Sequence, residues 1–370
     1  MNTTQRERRS PSLWWVLVAV MALVLSACAA DEEGDTAGES EDDVAEEQDE
    51  SAAEEVEIEY SIQMPGVISY ELNLPTLVAD AAGFLAEEGI EIEDYVTGSG
   101  GTLRQAVIAG EFDFGLFATV HPVLARAGGS PWKTIFAAHE KEIFSLIVRS
   151  EIADEIQSVE DLAGRTVGFS EPGAGSWFMG LVYLRGAGLD PDTDLEYVSL
   201  GGDPGVIFTS LQEGRVDAFA SWEPTTTRAI NEGIAEPLVA IWEDEVHQEF
   251  VGERAQALVM IALEDSIEED PEFYQRLVDA HTAALEWIHD AESDEIVQLV
   301  LGDSSTAELF EGLDEELVVE MIDRIRGGFG SGCLDREGYE TELEILMRYE
   351  VVEEEVPFDE VADTRFAGEC

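Results

Sequence analysis

Positive charge is scarce in this sequence. Its 370 residues include 19 Lys and Arg against 82 Asp and Glu, which gives a formal net charge of -63. Lys133 and Lys141 are the only lysines. Nucleic-acid binding requires a basic surface that neutralises phosphates, and electrostatic docking on anionic lipid requires clustered basic residues. The composition therefore excludes a conventional nucleic-acid-binding protein and argues against docking on a membrane by charge.

Residues that commonly carry catalysis or bind metals are also few. The chain has three Cys and five His, and no cysteine lies between residues 29 and 332. The motifs His-Glu-x-x-His, Gly-x-Ser-x-Gly and Cys-x-x-Cys are absent from the sequence. Because these motifs mark zinc, serine and thiol chemistry, the sequence predicts no catalytic set, no metal site and no cofactor.

Apolar residues are present in ordinary amounts, and their spacing predicts the fold class. Hydrophobic residues make up 45% of the chain, and the length suits two domains. Strand-like patterns, as at residues 56–64, alternate with helix-like patterns, as at residues 75–88, as far as residue 242. The chain beyond residue 262 is helical. This order predicts an α/β fold with mostly parallel sheets covered by helices and a helical C-terminal tail.

The N-terminus has the features of a bacterial export signal. Arg6, Arg8 and Arg9 precede an apolar run at residues 13–25, which is shorter than a membrane span needs. The following Leu-Ser-Ala-Cys at residues 25–28 resembles a lipobox. We therefore expect a lipoprotein signal peptide at residues 1–27 and a lipid on Cys28. An ordinary signal peptide, an uncleaved anchor and twin-arginine export are the alternatives.

An acidic segment separates this signal from the rest of the chain. Residues 31–55 contain no aromatic residue and one valine. Since such a segment cannot bury a core and its charges repel one another, residues 28–56 are predicted to be an extended tether. The remaining residues 60–370 still contain 65 acidic against 16 basic residues. A carboxylate-rich, lysine-poor surface is typical of salt-adapted proteins, so we expect a halophilic source.

The other two cysteines form an even pair. If Cys28 is lipidated and exported, Cys333 and Cys370 are left outside the cytoplasm, where a disulfide is expected. Two unpaired thiols are the alternative.

Two glycine-rich loops precede predicted helices. Ser99, Gly100 and Gly101 open one helix, and Gly175 and Ser176 open another. Backbone N–H groups at the positive end of a helix can bind an anion, although plain turn glycines are the alternative interpretation. A faint internal repeat supports two similar lobes: a Gly-Gly pair, a short helix and a Gly-x-x-Asp stretch occur at residues 100–113 and again at 201–217.

Other candidates follow predicted strands, where α/β folds bind ligands. Thr119 follows the strand at residues 112–117, although its alternative role is a helix cap. Trp222 and Glu223 follow the strand at residues 216–221, and Trp177 stands beside Ser176. Packing in the core and solvation at the surface are the alternative roles of these three side chains.

Several stretches together resemble a known family. They are AGFLAEEGI (82–90), GEFDFG (110–115), SVEDLAGRTVG (158–168), GLDP (188–191), GRVDA (214–218) and WEP (222–224). In this order and spacing, over about residues 61–241, the chain resembles substrate-binding proteins of ABC importers. The most similar branch is the nitrate, sulfonate and taurine type, which includes binders of the thiamine pyrimidine precursor.

The resemblance implies a two-lobed periplasmic-binding-protein type II flytrap. Lobe one would comprise residues 57–147 and 253–370, and lobe two residues 148–252, with hinge crossings near residues 148–150 and 243–252. The chain would be a monomer outside the cytoplasm, held on the cell membrane by its lipid, that delivers a small molecule to an ABC permease and its ATPase. The implied ligand-binding residues are Tyr70, Ser99, Gly100, Gly101, Thr119, Gly175, Ser176, Trp177, Trp222 and Glu223.

Two ligand chemistries stay open. Helix-end amides favour a nitrate, a sulfonate such as taurine or another oxyanion, but Arg104 is the one basic residue beside the loops. Trp177, Trp222 and Glu223 would suit a flat heterocycle with N–H donors. The same fold also hosts enzymes of thiamine-pyrimidine synthesis. We expect a binding protein rather than an enzyme, since an enzyme would need a reactive Cys or His in the cleft.

Overall fold

The computed structural model describes residues 57–67, 69–310 and 312–370. The expected signal peptide, the lipidation site Cys28 and the acidic tether lie outside the described residues. Within the described ranges, no helix combines the length and apolarity that crossing a membrane requires. These residues belong to one compact unit, Glu54–Cys370.

The strands of this described part form two sheets. They are β1 (Tyr60–Val67), β2 (Ile90–Gly98), β3 (Phe114–Ala118), β4 (Trp132–His139), β5 (Ser145–Arg149), β6 (Thr166–Phe169), β7 (Glu196–Ser199), β8 (Ala218–Ser221), β9 (Ala235–Val239), β10 (Leu258–Leu263) and β11 (Phe329–Gly332).

Helices cover both sheets and make up most of the C-terminal region. The α-helices are α1 (Tyr70–Ala81), α2 (Phe84–Glu87), α3 (Gly100–Ile108), α4 (Val120–Ala127), α5 (Gly175–Gly186), α6 (Pro204–Gln212), α7 (Thr225–Asn231), α8 (Asp244–Phe250), α9 (Glu264–Glu269), α10 (Pro271–Asp290), α11 (Ser293–Gly302), α12 (Ser304–Ala307), α13 (Glu315–Ile325), α14 (Arg336–Arg348) and α15 (Phe358–Val361). Short 3₁₀ helices span Ser150–Glu155, Val159–Leu162, Glu308–Phe310 and Arg326–Gly328.

The two sheets define two lobes, each with its own helices. The first sheet has the order β11-β4-β10-β3-β1-β2, and the second has the order β7-β6-β8-β5-β9. In the first, β1 pairs in parallel with β2 and β3; in the second, β6 pairs in parallel with β7 and β8. The α/β architecture is therefore the expected one. The sheets are mixed rather than mostly parallel, because β4, β5, β9, β10 and β11 all pair antiparallel.

Continuous apolar runs account for the central strands. Every residue of β3 is buried, as are the first five residues of β10, which pairs with it. A strand that is covered by helices on both faces has no solvent side, so it has no polar alternation. These strands form the core of the first lobe.

The chain crosses between the lobes twice. The strand β5 pairs with β8 and β9 over its full length, so it belongs wholly to the second sheet. The first crossing therefore lies between β4 and β5, at residues 140–144, and earlier than the expected hinge at residues 148–150. The second crossing runs from the end of β9 to the start of β10 and contains α8.

The first helix starts earlier than its sequence pattern predicts. The apolar spacing at residues 75–88 predicts a helix that begins at Pro75. In the structure Ser69 is the N-cap, its hydroxyl accepts from the Leu72 amide, and Pro75 lies inside α1. Tyr70 consequently belongs to the first turn of α1 rather than to a loop.

The C-terminal region packs mainly on the first lobe and also reaches the second. The helices α10 and α11 pack against α1, while α13 contacts α7 and α14 contacts α5. Arg324 in α13 donates to the Thr227 hydroxyl at 3.0 Å, and Arg185 in α5 donates to the carbonyl of Tyr349. The chain end is closed by a disulfide between Cys333 and Cys370.

Candidate ligand-binding site

A cavity of about 320 Å³ lies where the two lobes face each other. Both sheets contribute residues that end their parallel strands or lie within three positions after the strand end. In the first lobe these are Ser69 after β1, Ser99 after β2 and Ala118 at the end of β3. In the second lobe they are Ser170 after β6, Gly202 after β7 and Trp222 after β8. The carboxyl ends of six parallel strands thus meet at one cavity, which is where open α/β sheets bind ligands.

Three helices begin at the same cavity. Ser99 caps α3 by accepting from the Thr102 amide at 3.1 Å, and Asp203 caps α6 by accepting from the Val206 amide at 3.1 Å. The helix α5 begins at Gly175 without a side-chain cap. Each helix start places its partly positive end near the cavity, so the site has polar donors although most of its lining is apolar.

Gly175 allows the lobes to come together closely. A Cβ atom at this position would lie 2.6 Å from the Phe144 ring and 3.3 Å from the Ala118 side chain. Phe144 belongs to the first crossing and Ala118 to the first lobe. A glycine is therefore needed at the start of α5 for steric reasons, in addition to any role of its amide.

His121 contributes a neutral hydrogen-bond donor. It is 1% exposed, and burial, together with Arg104, lowers its pKa to about 3. The Arg104 guanidinium lies 3.3 Å from Nδ1 of His121 and can only donate, so Nδ1 must accept and Nε2 must carry the proton. That nitrogen lies beside Gly100, where a Cβ atom would be only 2.5 Å away.

Aromatic and aliphatic side chains form the wall of the cavity. Trp222 is 5% exposed and contacts the rings of Phe144 and Phe219 at centroid distances of 6.4 and 5.9 Å. Leu72, Ile143 and Leu258 complete the apolar lining. Among the described residues that line the cavity there is no lysine or arginine, and Asp203 is the one carboxylate.

Half of the sequence-predicted ligand residues line this cavity: Ser99, Gly100, Gly175, Ser176 and Trp222. The hydroxyl groups of Ser176 and Ser170 lie 2.6 Å apart, which fixes the first turn of α5 against the end of β6. The structure does not place Tyr70, Gly101, Thr119, Trp177 and Glu223 in the lining.

Two of these five make structural contacts in the first lobe. The ring of Tyr70 stacks on Phe310 at 4.4 Å, and its hydroxyl donates to the carbonyl of Leu309. Thr119 precedes α4, but its hydroxyl donates to the carbonyl of Gln256 and does not cap the helix. Both side chains are directed into packing and away from the cavity.

Gly101 and Trp177 lie near the start of their helices but on other faces. Gly101 approaches the carboxylate of Glu171, with 2.9 Å between that oxygen and a Cβ atom built on Gly101. Trp177 lies in a separate depression with Arg185 and Tyr197, on the outer side of α5. A helix turns by about 100° per residue, so Ser176 faces the cavity and its neighbour Trp177 does not.

Glu223 is buried behind the cavity, next to Glu71. Its backbone N–H donates to the Glu71 carboxylate at 2.8 Å, and the Ser69 hydroxyl donates to the same carboxylate at 2.7 Å. Burial raises the pKa of Glu71 to about 8 and that of Glu223 to about 7, and the charge of Glu223 adds to the shift of Glu71. Both line a second cavity of about 460 Å³ rather than the first one.

Sequence reasoning missed several lining residues, although the sequence contains patterns that could have indicated some of them. Ser170 directly follows β6 and Ser69 lies two positions after β1, so both could have been found by extending the strand-end rule to every strand. Gly202 is the second glycine of the repeat's second Gly-Gly pair, where Gly101 stands in the first copy, and Asp203 directly follows that pair. No local pattern marks His121, Phe144 or Leu258, because their position depends on how the lobes pack.

The described residues contain no group of three or more His, Cys, Asp or Glu side chains arranged to hold a metal ion. The cavity lining offers hydrogen bonds and apolar contact, through serine hydroxyls, helix-end amides, one neutral imidazole, one carboxylate and an indole ring.

Solved structures share this architecture. The alkanesulfonate-binding protein SsuA from Xanthomonas axonopodis pv. citri, solved with bound MOPS, superposes with a TM-score of 0.64 at 15% identity. The alignment covers 82% of this chain and 98% of that chain. Identity this low shows the fold alone, and that fold is the periplasmic-binding-protein fold.

The family follows from the sequence itself. The family model described as NMT1/THI5 like matches residues 73–293, which is more than half of the chain. The chain therefore belongs to the NMT1/THI5-like family. This match confirms the resemblance to ABC substrate-binding proteins noted from the sequence.

Curated relatives match over shorter stretches. A protein of Escherichia coli (strain K12) named for binding aliphatic sulfonates is 30% identical over 135 residues, which is 36% of this chain and 41% of the relative. A 4-amino-5-hydroxymethyl-2-methylpyrimidine phosphate synthase of Legionella pneumophila is 32% identical over 95 residues, which is 26% of this chain and 29% of the relative. The matches thus span less than half the length of either relative.

Proposed function

We propose that this protein is the solute-binding component of an ABC importer, which captures a small molecule between its lobes and delivers it to a permease. One observation carries the proposal: the carboxyl ends of six parallel strands, three from each lobe, meet at one cavity. A ligand held there contacts both lobes at once. It therefore binds the closed arrangement better than an open one and shifts the population toward closure.

The proposed ligand is a small flat ring with N–H donors and at least one acceptor. The Trp222 and Phe144 rings offer apolar surface for such a ring. The protonated Nε2 of His121 would donate to an acceptor of the ligand, and the Asp203 carboxylate would accept from its N–H groups. A pyrimidine of the kind named for the Legionella pneumophila relative has this chemistry.

A sulfonate, nitrate or other oxyanion is the second candidate. The observation in its favour is that α3, α5 and α6 all begin at the cavity, where unpaired amides can bind an anion. Against it stand the neutral state of His121, the absence of lysine and arginine from the described lining, and the net charge of -63. An oxyanion would have to bind against this unfavourable field.

A binding role is proposed here in preference to catalysis. No cysteine is among the described residues that line the cavity. The hydroxyl groups of Ser170 and Ser176 form a hydrogen bond with each other, and the Nδ1 atom of His121 accepts a hydrogen bond from Arg104. The cavity therefore lacks an activated nucleophile. By the N-terminal sequence features, the protein would act outside the cytoplasm with Cys28 lipidated, and as a monomer.

The test is ligand binding by the purified full-length protein in high-salt buffer. Thermal shift and titration calorimetry are run with 4-amino-5-hydroxymethyl-2-methylpyrimidine, taurine, propanesulfonate and nitrate, since a ligand of the native state raises the melting temperature. Trp222→Ala should weaken binding at least tenfold, because Trp222 lines the cavity. Trp177→Ala is the matched control and should leave affinity within twofold. Turnover of a bound compound would contradict the binding role, and equal losses in both variants would contradict this placement of the cavity.

A further inference from the structure

The strongest unassigned feature is a carboxylate seated at the start of α3. Glu171 belongs to the loop after β6 in the second lobe, and α3 belongs to the first lobe. The hydroxyl of Ser99, the N-cap of α3, donates to the Glu171 carboxylate. The same carboxylate oxygen would lie 2.9 Å from a Cβ atom on Gly101, so it lies against the first turn of the helix.

The position that Glu171 occupies is one that suits an anion. The first amides of a helix have no partner within the helix, and the helix dipole makes that end partly positive. The helix α3 has nine residues and begins at the cavity, with Gly100 in the lining. At the start of α3, the Glu171 carboxylate supplies the negative charge that a bound oxyanion would otherwise supply.

The surroundings of Glu171 do not reverse its charge. Within the described residues, none of the ion pairs includes Glu171. Arg104, on α3 itself, bonds to Nδ1 of His121, and its guanidinium would lie 3.2 Å from a Cβ atom on Gly173 in the same loop. Asp203 adds a second carboxylate at the lining of the second lobe. An oxyanion that approaches α3 would therefore meet two carboxylates and a neutral imidazole, while the one cation beside them, Arg104, is already bonded to that imidazole.

We propose that Glu171 is a specificity-determining residue, which occupies the anion position of α3 and selects against oxyanions in favour of neutral or cationic solutes. The inference rests on the proposed function, because it concerns the same cavity. It adds that one charged side chain outside the lining, Glu171, determines whether the cavity favours an oxyanion or a neutral or cationic solute.

Glu171→Ala tests the proposal, since it frees the start of α3 without altering any lining residue. Propanesulfonate and nitrate are titrated into wild type and variant by calorimetry, at equal chloride concentration. We expect both anions to bind the variant at least tenfold more tightly than wild type. Glu171→Gln keeps the size and the hydrogen bond with Ser99 but removes the charge, so its affinity should fall between the two.

The matched control is Glu160→Ala, which removes one exposed carboxylate of the second lobe away from the cavity. It should change anion affinity less than twofold, because one distant charge is screened by salt. Anion affinity that is unchanged or weaker in Glu171→Ala, or a gain of equal size in Glu160→Ala, would overturn the proposal. If wild type binds no solute at all, that result counts against the proposed function. The proposal for Glu171 is still tested in that case, because a gain of anion binding in Glu171→Ala can be measured against wild type.

Discussion

The Glu71 carboxylate of the first lobe accepts a hydrogen bond from the backbone N–H of Glu223 in the second lobe, at 2.8 Å. Both side chains are at most 3% exposed. The pair joins the lobes directly behind the ligand cavity. Its carboxyl groups are also faced by Ser69 from the start of α1, by Thr227 from α7, and by the charges of Arg324 and Glu320 from α13.

Stability should fall as pH rises through the range in which this pair ionises. Burial raises the pKa of Glu71 to about 8 and of Glu223 to about 7, above the ordinary value of 4.5. The native state therefore binds more protons than the unfolded state between about pH 4.5 and 8, and the free energy of unfolding decreases with pH over that window.

Glu71→Gln should flatten this dependence. Glutamine can accept from the Glu223 N–H and donate to the Ser69 hydroxyl, so it reproduces the protonated acid. We expect the variant to be more stable than wild type at pH 8 by about 1–3 kcal/mol, since one pKa unit is worth about 1.4 kcal/mol. Thermal unfolding at pH 5, 6, 7 and 8 measures the slope. The exposed Glu253→Gln is the control, and equal slopes in all three proteins would contradict the prediction.

Gly175→Ala should destabilise the closed arrangement. The new methyl group would lie 2.6 Å from the Phe144 ring and 3.3 Å from the Ala118 side chain, and overpacking of this kind costs about 1–3 kcal/mol. Denaturant unfolding gives the loss. Gly202→Ala is a matched control in the same cavity, because no atom lies within 4 Å of its new methyl group. A loss in the control as large as in Gly175→Ala would refute the steric argument.

The disulfide should contribute substantially to stability. Cys333 and Cys370 are separated by 37 positions, and closure of a loop of this length is worth about 3–4 kcal/mol in the chain-entropy model. The double substitution Cys333→Ser and Cys370→Ser should lower the free energy of unfolding by roughly this amount. The measurement is denaturant unfolding without reductant, with wild type in reductant as the second arm. A double variant as stable as oxidised wild type would argue against the prediction.

Salt should stabilise the protein. Residues 60–370 contain 65 acidic against 16 basic residues, and mobile ions screen their mutual repulsion. We expect the melting temperature to rise by roughly 5–10 °C between 0.1 and 2 M KCl, which corresponds to about 2 kcal/mol or more for a domain of this size. Calorimetry at several salt concentrations measures the rise. A melting temperature that does not depend on salt would contradict a salt-adapted surface.

The sequence predicted the parts of the fold that depend on local patterns. The apolar runs of β3 and β10, and the glycines that open α3 and α5, could be recognised because periodicity and turn chemistry are local. The antiparallel pairing of β5 could not be predicted, since it is fixed only when the chain crosses between the lobes. For the same reason the first crossing was placed several residues too late.

Five of the ten predicted site residues line the cavity and five do not, again for a physical reason. Residues adjacent to a strand end, such as Ser99 and Trp222, follow from the strand-end rule. Trp177 was placed in the cavity because it follows Ser176, but a single helical step directs it to the outside. His121 could not be predicted from a local pattern, because its role depends on Arg104, which approaches it from a different helix.

The bonds from the C-terminal region to the second lobe have a kinetic consequence. Arg324 donates to the Thr227 hydroxyl, and Arg185 donates to the Tyr349 carbonyl. If the lobes separate as the proposed function requires, both bonds must break or slide, so contacts remote from the solute would also oppose opening. The rates at which a solute enters and leaves would then be set at the surface of α7 and α5, and substitutions there would change residence time while leaving every cavity contact intact.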